Sequence, residues 1–160
     1  MKKKIFVMYG TQPFHFKRLD NYLNQINLDE FDVKVQVGKF GDLKKGIDTF
    51  EKDTHESIIE SINKADIIIS HGGVGSIFDA LLNDKNPIVL PRLQKFNEHV
   101  DDHQMEIVEK LYSMNLIQIS QEDFTKDINY LTKNVFSKYK SNFNLPMEVM
   151  NEFNENDKRK

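Results

Sequence analysis

The run ADIIISHGGVGSIFDALL, residues 65–82, sets Ile67, Ile68 and Ile69 directly before a His-Gly-Gly-x-Gly turn, and Ser76 stands where a helical pattern begins. Glycines let the backbone come close to a ligand, and the first N–H groups of a helix have no partner within it and lie at the positive end of its dipole. A strand running through such a turn into a helix is a seat for a phosphate group. Its candidate residues are Gly72, Gly73, Gly75 and Ser76, with His71 beside them. Ser76 is expected at the N-cap, a position that favours serine. Gly10-Thr11 and the polar loop from Arg92 to Val100, followed by Asp101-Asp102-His103-Gln104, also come directly after apolar runs.

Other chemistries fit less well. A dinucleotide fingerprint needs G-x-G-x-x-G after the first strand, where this chain has YGTQPF, and there is no G-x-x-x-x-G-K-[ST] loop. His55, His71, His99 and His103 with Glu98, Asp101 and Asp102 suggest a metal, but His99 and His103 lack the glutamate of an H-E-x-x-H pair, so no metal is expected. Ser76 is not in a G-x-S-x-G elbow, which favours capping over nucleophilic attack. The absence of cysteine excludes disulfides, thiol catalysis and cysteine-held zinc, and is compatible with a reducing cytoplasm. A net charge of −3 provides no general field for nucleic acid, and no apolar run reaches the length of a membrane span.

The elements that must position these residues alternate in type. The opening MKKKIFVMYG is too short in its apolar part for a secretory signal and lacks a small-residue cleavage site, so it is expected to be a first strand, Lys4 to Tyr9, with no leader. A helical pattern carries Phe16, Leu19, Tyr22, Leu23 and Ile26; Val33, Val35 and Val37 alternate as a strand; a short strand is expected around Ile47 to Phe50. Thr54 can cap a helix with Ile58, Ile59 and Ile62. Asp66 to Ser70, Ile88 to Leu90 and Leu116 to Ile119 read as strands. Helices with Ile77, Phe78, Leu81 and Leu82, then Met105, Val108, Leu111 and Tyr112, fall between them, the second capped by Asp101 or Asp102. A last pattern joins Phe124, Ile128, Leu131, Val135, Phe136 and Tyr139. This alternation predicts one α/β, Rossmann-like domain over 1–140, a mainly parallel sheet covered by helices on both faces, with the three loops on its carboxyl edge. Residues 141–160 form a tail in which Met147, Met150 and Phe153 are spaced by three.

The order H-G-G-x-G-S, Asp79, a Pro-led strand and D-H-Q, with G-T and QPF..RL after the first strand, resembles the C-terminal, donor-binding half of GT-B glycosyltransferases of family 28. It is most similar to free-standing versions of that half: the small catalytic subunit of the eukaryotic dolichol-linked GlcNAc transferase and bacterial exopolysaccharide subunits of the PssE type. The resemblance runs roughly from Lys4 to Ile119. It implies that Gly72, Gly73, Gly75 and Ser76, with His71 beside them, hold the UDP pyrophosphate, and that Gly10 and Thr11 approach the phosphates from the first strand. Asp79, where the family more often has Glu, would hold the ribose hydroxyls. His103 and Gln104 would meet the donor sugar, and Arg92 joins them in the loop that discriminates it.

UDP-sugar is then a substrate and no cofactor is implied. A full GT-B enzyme carries its acceptor site, and usually its base, in an N-terminal domain, for which 160 residues leave no room. The resemblance therefore implies a membrane-anchored acceptor-binding subunit of the PssD type, a polyprenyl-diphosphate-linked acceptor, inverting transfer in capsule or exopolysaccharide assembly, and a cytoplasmic place at the inner membrane face. No nucleic-acid partner is expected. Two alternatives are a non-enzymatic sugar-nucleotide-binding or regulatory module and a UDP-sugar epimerase fragment. The tail can dock on the partner or fold back on its own domain. The catalytic base is unassigned.

Overall fold

A computed structural model of the chain describes residues 1–38, 40–140 and 147–158. Among these residues six strands form one sheet: β1 (Lys3–Met8), β2 (Phe31–Gln36), β3 (Asp48–Phe50), β4 (Ile67–Ser70), β5 (Ile88–Val89) and β6 (Gln118–Ile119). Helices α1 (Lys17–Leu23), α2 (His55–Lys64), α3 (Val74–Leu82), α4 (His103–Ser113), α5 (Phe124–Lys133) and α6 (Met147–Lys158) connect or follow them. The order across the sheet is β3-β2-β1-β4-β5-β6, and every pairing is parallel. This is the expected α/β architecture.

The central strands are apolar on both faces because helices cover both. Ile5, Val7 and Tyr9 lie with Leu19, Tyr22 and Leu23 of α1 and Phe124 of α5. Phe6 and Met8 point the other way, to Ile62 of α2 and Ala80 of α3. On that second side Ile77, Phe78 and Leu81 of α3 meet Val89 and the Ile107, Val108 and Leu111 face of α4. The register sets Ile5 beside both Val33 and Ile67, and Val7 beside both Val35 and Ile69. Burial of one such side chain contributes about 1.5–3 kcal/mol, which makes β1, β2 and β4 the rigid centre of the sheet.

Two expected elements end differently. The pattern from Phe124 to Tyr139 is not one helix: α5 stops at Lys133, and Asn134 turns extended with φ −110° and ψ 149°. The chain beyond is held by Asn115, whose carbonyl accepts from Ser137 N–H at 2.9 Å and whose side-chain amide donates to Val135 O at 2.9 Å. Tyr139 then packs edge-on against Phe78. Helix α4 has Asp102 at its N-cap position, but that carboxylate accepts from Gln94 N–H instead, and Asp101 accepts from His103 N–H.

Of the two placements open to the tail, the structure shows α6 against α3 of its own domain. Residues 141–146, including Pro146, lie outside the described residues, as does the side chain of Phe153. The helix is anchored by Val149, fully buried in the cluster of α3 and α4, with Met150 beside it. Met147, expected on the apolar stripe, is exposed. Val149→Ala should therefore lower unfolding stability by about 1–3 kcal/mol in denaturant titration, and Met147→Ala should leave it nearly unchanged. Equal effects would mean that α6 does not pack in this way.

Candidate functional site

Chain direction across the sheet reverses between β1 and β4. From β1 the chain crosses to β2 and β3, and from β4 to β5 and β6, so the loops after β1 and β4 part and leave a crevice at the carboxyl edge. Two hollows open there and share Gly10, Thr11 and Ser76 as a common wall. The first, about 570 Å³, is bounded by His71, Gly73 and Gly75 on one side and by His99, Asp101, His103 and Gln104 on the other. The second, about 480 Å³, lies towards α2 and is lined by Asp53, His55, Ile58 and Asp79. A hollow of about 590 Å³ also opens at the opposite, amino edge, among Lys2, Lys4, Lys34 and Lys64. It is remote from the three loops, and Lys2 and Lys34 donate there to Leu28 O and Ser61 Oγ.

The wall of the first hollow includes the start of α3, whose free N–H groups can take an anion. Helix α3 begins at Val74 with Gly73 as N-cap, and Ile77 N–H closes the first turn on Gly73 O at 3.0 Å. The N–H groups of Val74, Gly75 and Ser76 precede that closure, and helix geometry leaves them without carbonyl partners inside the helix. Ser76 is thus the third helical residue and not the expected N-cap: the cap falls three residues earlier, at Gly73, which allows a close passage past His71.

His71 is the floor of the seat and only 6% exposed. Its Nδ1–H donates to Met8 O at 3.2 Å, tying the end of β4 to the end of β1. Nε2 faces Gly10 and Gly73 so closely that a Cβ on either would stand 2.3 Å from it. Burial, reinforced by the Arg92 guanidinium, holds the imidazole pKa down at about 3. At neutral pH Nε2 therefore presents a lone pair and accepts hydrogen bonds, so attraction for an anion falls to the α3 backbone.

Gly72, expected beside the phosphates, is not among the residues that line the two hollows. Its φ of +93° requires glycine, and a Cβ there would meet Pro91 Cα at 3.0 Å, so it brings β4 against the chain after β5 without lining either hollow. Arg92 is likewise not a wall residue. It is 1% exposed, with its guanidinium donating to Tyr9 O, Phe14 O and Glu98 O at 3.0, 3.0 and 3.2 Å and lying 4.5 Å from the Phe16 ring centroid. Arg18 completes the brace with two bonds to the buried Glu98 carboxylate, at 2.9 and 2.7 Å, and one to Pro91 O at 2.8 Å. The QPF..RL segment and the Arg92 loop thus lock together beneath the crevice. The resemblance sets Arg92 in the loop that meets the sugar; in the structure three carbonyls draw its side chain inward, away from both hollows.

His103 and Gln104 open α4 at the rim of the first hollow. Gln104 Oε1 is buried and makes no hydrogen bond within the protein, leaving an acceptor for which a bound molecule can supply the donor. Asp79, on α3 and 8% exposed, lies in the second hollow, where its Oδ1 is 3.2 Å from His55 Nε2. The structure therefore brings Gly10, Thr11, His71, Gly73, Gly75, Ser76, Asp79, His103 and Gln104 around one crevice, and adds Gln12, His55, His99 and Asp101. In the sequence His55 and His99 stand out only as members of the candidate metal group, with nothing to place them at this crevice. Among the described residues no group of three acidic or histidine side chains gathers as a metal site.

A neutral buried histidine makes stability pH-dependent. The unfolded chain binds a proton on His71 near pH 6.5 and the folded chain only near 3, so stability is full above 6.5 and is lost as pH falls towards 3. Denaturant titrations from pH 7 to 4.5 should show wild type losing up to about 1.4 kcal/mol per pH unit more than His71→Gln. Parallel pH profiles would contradict a buried neutral imidazole.

The sequence pattern of the glycosyltransferase family 28 C-terminal domain matches residues 4–158. Among curated proteins the chain is similar to the UDP-N-acetylglucosamine transferase subunit ALG13 of Candida albicans, 28% identical over 161 aligned positions covering 88% of this chain and 53% of that protein. It is also similar to the subunit of the same name from Yarrowia lipolytica, 32% identical over 65 residues covering 41% and 31%. The chain spans about half or less of the length of these relatives. In fold it resembles CalG4, the calicheamicin glycosyltransferase, with a TM-score of 0.59 at 13% identity over 82% of this chain and 34% of that one. The glycotransferase of kitacinnamycin gives 0.53 at 14% over 78% and 31%. Since the family pattern passes through every strand and through the crevice residues, the chain belongs to the glycosyltransferase family 28 C-terminal domain family.

Proposed function

We propose that the chain is the donor-binding, catalytic subunit of a two-component inverting UDP-sugar glycosyltransferase. The observation that carries this reading is the shared wall of Gly10, Thr11 and Ser76 between an anion seat and a hollow with a carboxylate. A nucleoside diphosphate sugar needs this order of groups: donors for the pyrophosphate, an acceptor for the ribose hydroxyls, and mixed polar groups such as His103 and Gln104 for the sugar.

In the proposed reaction an acceptor hydroxyl loses its proton to a base and attacks the anomeric carbon. The bond from that carbon to the β-phosphate oxygen breaks, and UDP leaves with the electron pair. The start of α3 faces the charge that develops on the leaving group. The base and the acceptor site belong to a second, membrane-anchored component of the PssD type, in keeping with the relatives' designation as subunits. The acceptor in this proposal is a polyprenyl-diphosphate-linked sugar; among the described residues no helix is long and apolar enough to cross a membrane. Capsule or exopolysaccharide assembly at the inner membrane face is the proposed setting, and the relatives' names make UDP-N-acetylglucosamine the first donor to test.

Co-expression with the candidate membrane component, followed by assay of UDP-sugars on a lipid-linked acceptor, tests the proposal. Transfer is expected with one donor, and Asp79→Asn or Gln104→Ala should each reduce kcat/KM by about 10- to 100-fold through a lost hydrogen bond. A verified complex that binds UDP but transfers no sugar would instead support a binding or regulatory module.

A further inference from the structure

The start of α2 is held firmly. Thr54 caps it by accepting from Ser57 N–H at 3.2 Å, and Asp53 accepts from Thr54 N–H at 2.8 Å and from Ser57 Oγ–H at 2.5 Å. His55 is the first residue beyond that cap. Its ring is about half exposed on the wall of the second hollow, and Nε2 lies 3.2 Å from Asp79 Oδ1, whose side chain is 10% exposed. A carboxylate oxygen accepts, so the imidazole donates Nε2–H. The contact joins two crossovers of the sheet, the β3-to-β4 and β4-to-β5 connections. An aspartate with a short side chain on a helix has few rotamers, and a hydrogen bond from a fixed neighbouring helix selects among them.

We propose that His55 is a positioning residue for diol recognition: by donating to Asp79 it sets the carboxylate across the second hollow, so that the site selects a ribonucleoside diphosphate over its 2′-deoxy analogue. This rests on the sugar-nucleotide reading of the crevice. His55 acts through Asp79, so its loss changes discrimination more than overall fold. A hydroxyl lost from a site built to bond it typically weakens binding by about tenfold or more.

The test is calorimetric titration of the full chain with UDP and with 2′-deoxy-UDP, for wild type, His55→Ala, His55→Gln and Asp79→Asn, with thermal melts alongside. Wild type should prefer UDP by about tenfold, and Asp79→Asn should remove the preference. His55→Ala should reduce it to within about threefold with an unchanged melt, and His55→Gln, whose amide can donate, should restore most of it. An unchanged preference in His55→Ala, or no recovery in His55→Gln, overturns the role of His55 while the nucleotide reading stands. Wild type that binds UDP and 2′-deoxy-UDP equally overturns diol recognition by Asp79, and with it the inference. Wild type that binds neither removes the sugar-nucleotide reading itself.

Discussion

The imidazole of His71 is wedged between Gly10 and Gly73 and bonded through Nδ1–H to Met8 O, joining the ends of β1 and β4 where the sheet changes direction. The crevice exists because the two loops diverge there, and their separation is set by the width of one aromatic ring. Glycine on both sides is a packing requirement, since a Cβ on either would overlap Nε2. The ring occupies the space in which side chains would otherwise meet, so the backbone of Gly73 passes close enough to begin α3 at Val74 and turn its first N–H groups to the hollow. The buried imidazole thus decides both the shape of the seat and the chemistry of its floor, a lone pair and not a cation.

The third loop is held by a different force. Arg92 and Arg18 gather carbonyls of the β1 loop and of the chain after β5 around the Glu98 carboxylate, almost wholly out of solvent. Burying a guanidinium is costly unless its donors are satisfied; here the two Nη groups of Arg92 find carbonyls from segments about 80 residues apart in the chain, while Nε–H makes no hydrogen bond within the protein. Breaking one part of this group would leave a buried charge without partners, so the loop that carries His99 and leads into His103 and Gln104 of α4 has one position relative to the seat. The brace lies under the crevice and leaves its rim to His99, Asp101, His103 and Gln104, a mix of donors and acceptors that suits hydroxyl-bearing ligands.

Much of the fold was legible in the sequence because it depends on local pattern. The isoleucine run Ile67 to Ile69 and the alternating Val33 and Val35 are periodicities that the sheet preserves, and the glycine turn after β4 is where a strand must hand over to a helix. Patterns misled where tertiary contacts overrode them. The apolar positions beyond Lys133 continue a helical period, yet Asn115 holds the backbone extended there. Met147 and Met150 suggest a stripe, while α6 buries Val149 between them, since the face a helix presents is chosen by its neighbour, here α3.

The candidate site divides in the same way. From the sequence alone came the strand–turn–helix units, the mainly parallel sheet they favour, and the convergence of three loops on one edge, because each follows from the period and sign of a short segment. Only the tertiary structure decided that Arg92 turns inward, that Ser76 is the third residue of α3, and that His55 meets Asp79 across 24 residues of chain. Those outcomes depend on distances of a few ångströms between elements remote in sequence. Such distances are set by how helices seat on the twisted sheet and by which buried polar groups must find partners, and neither is written into any single stretch of residues.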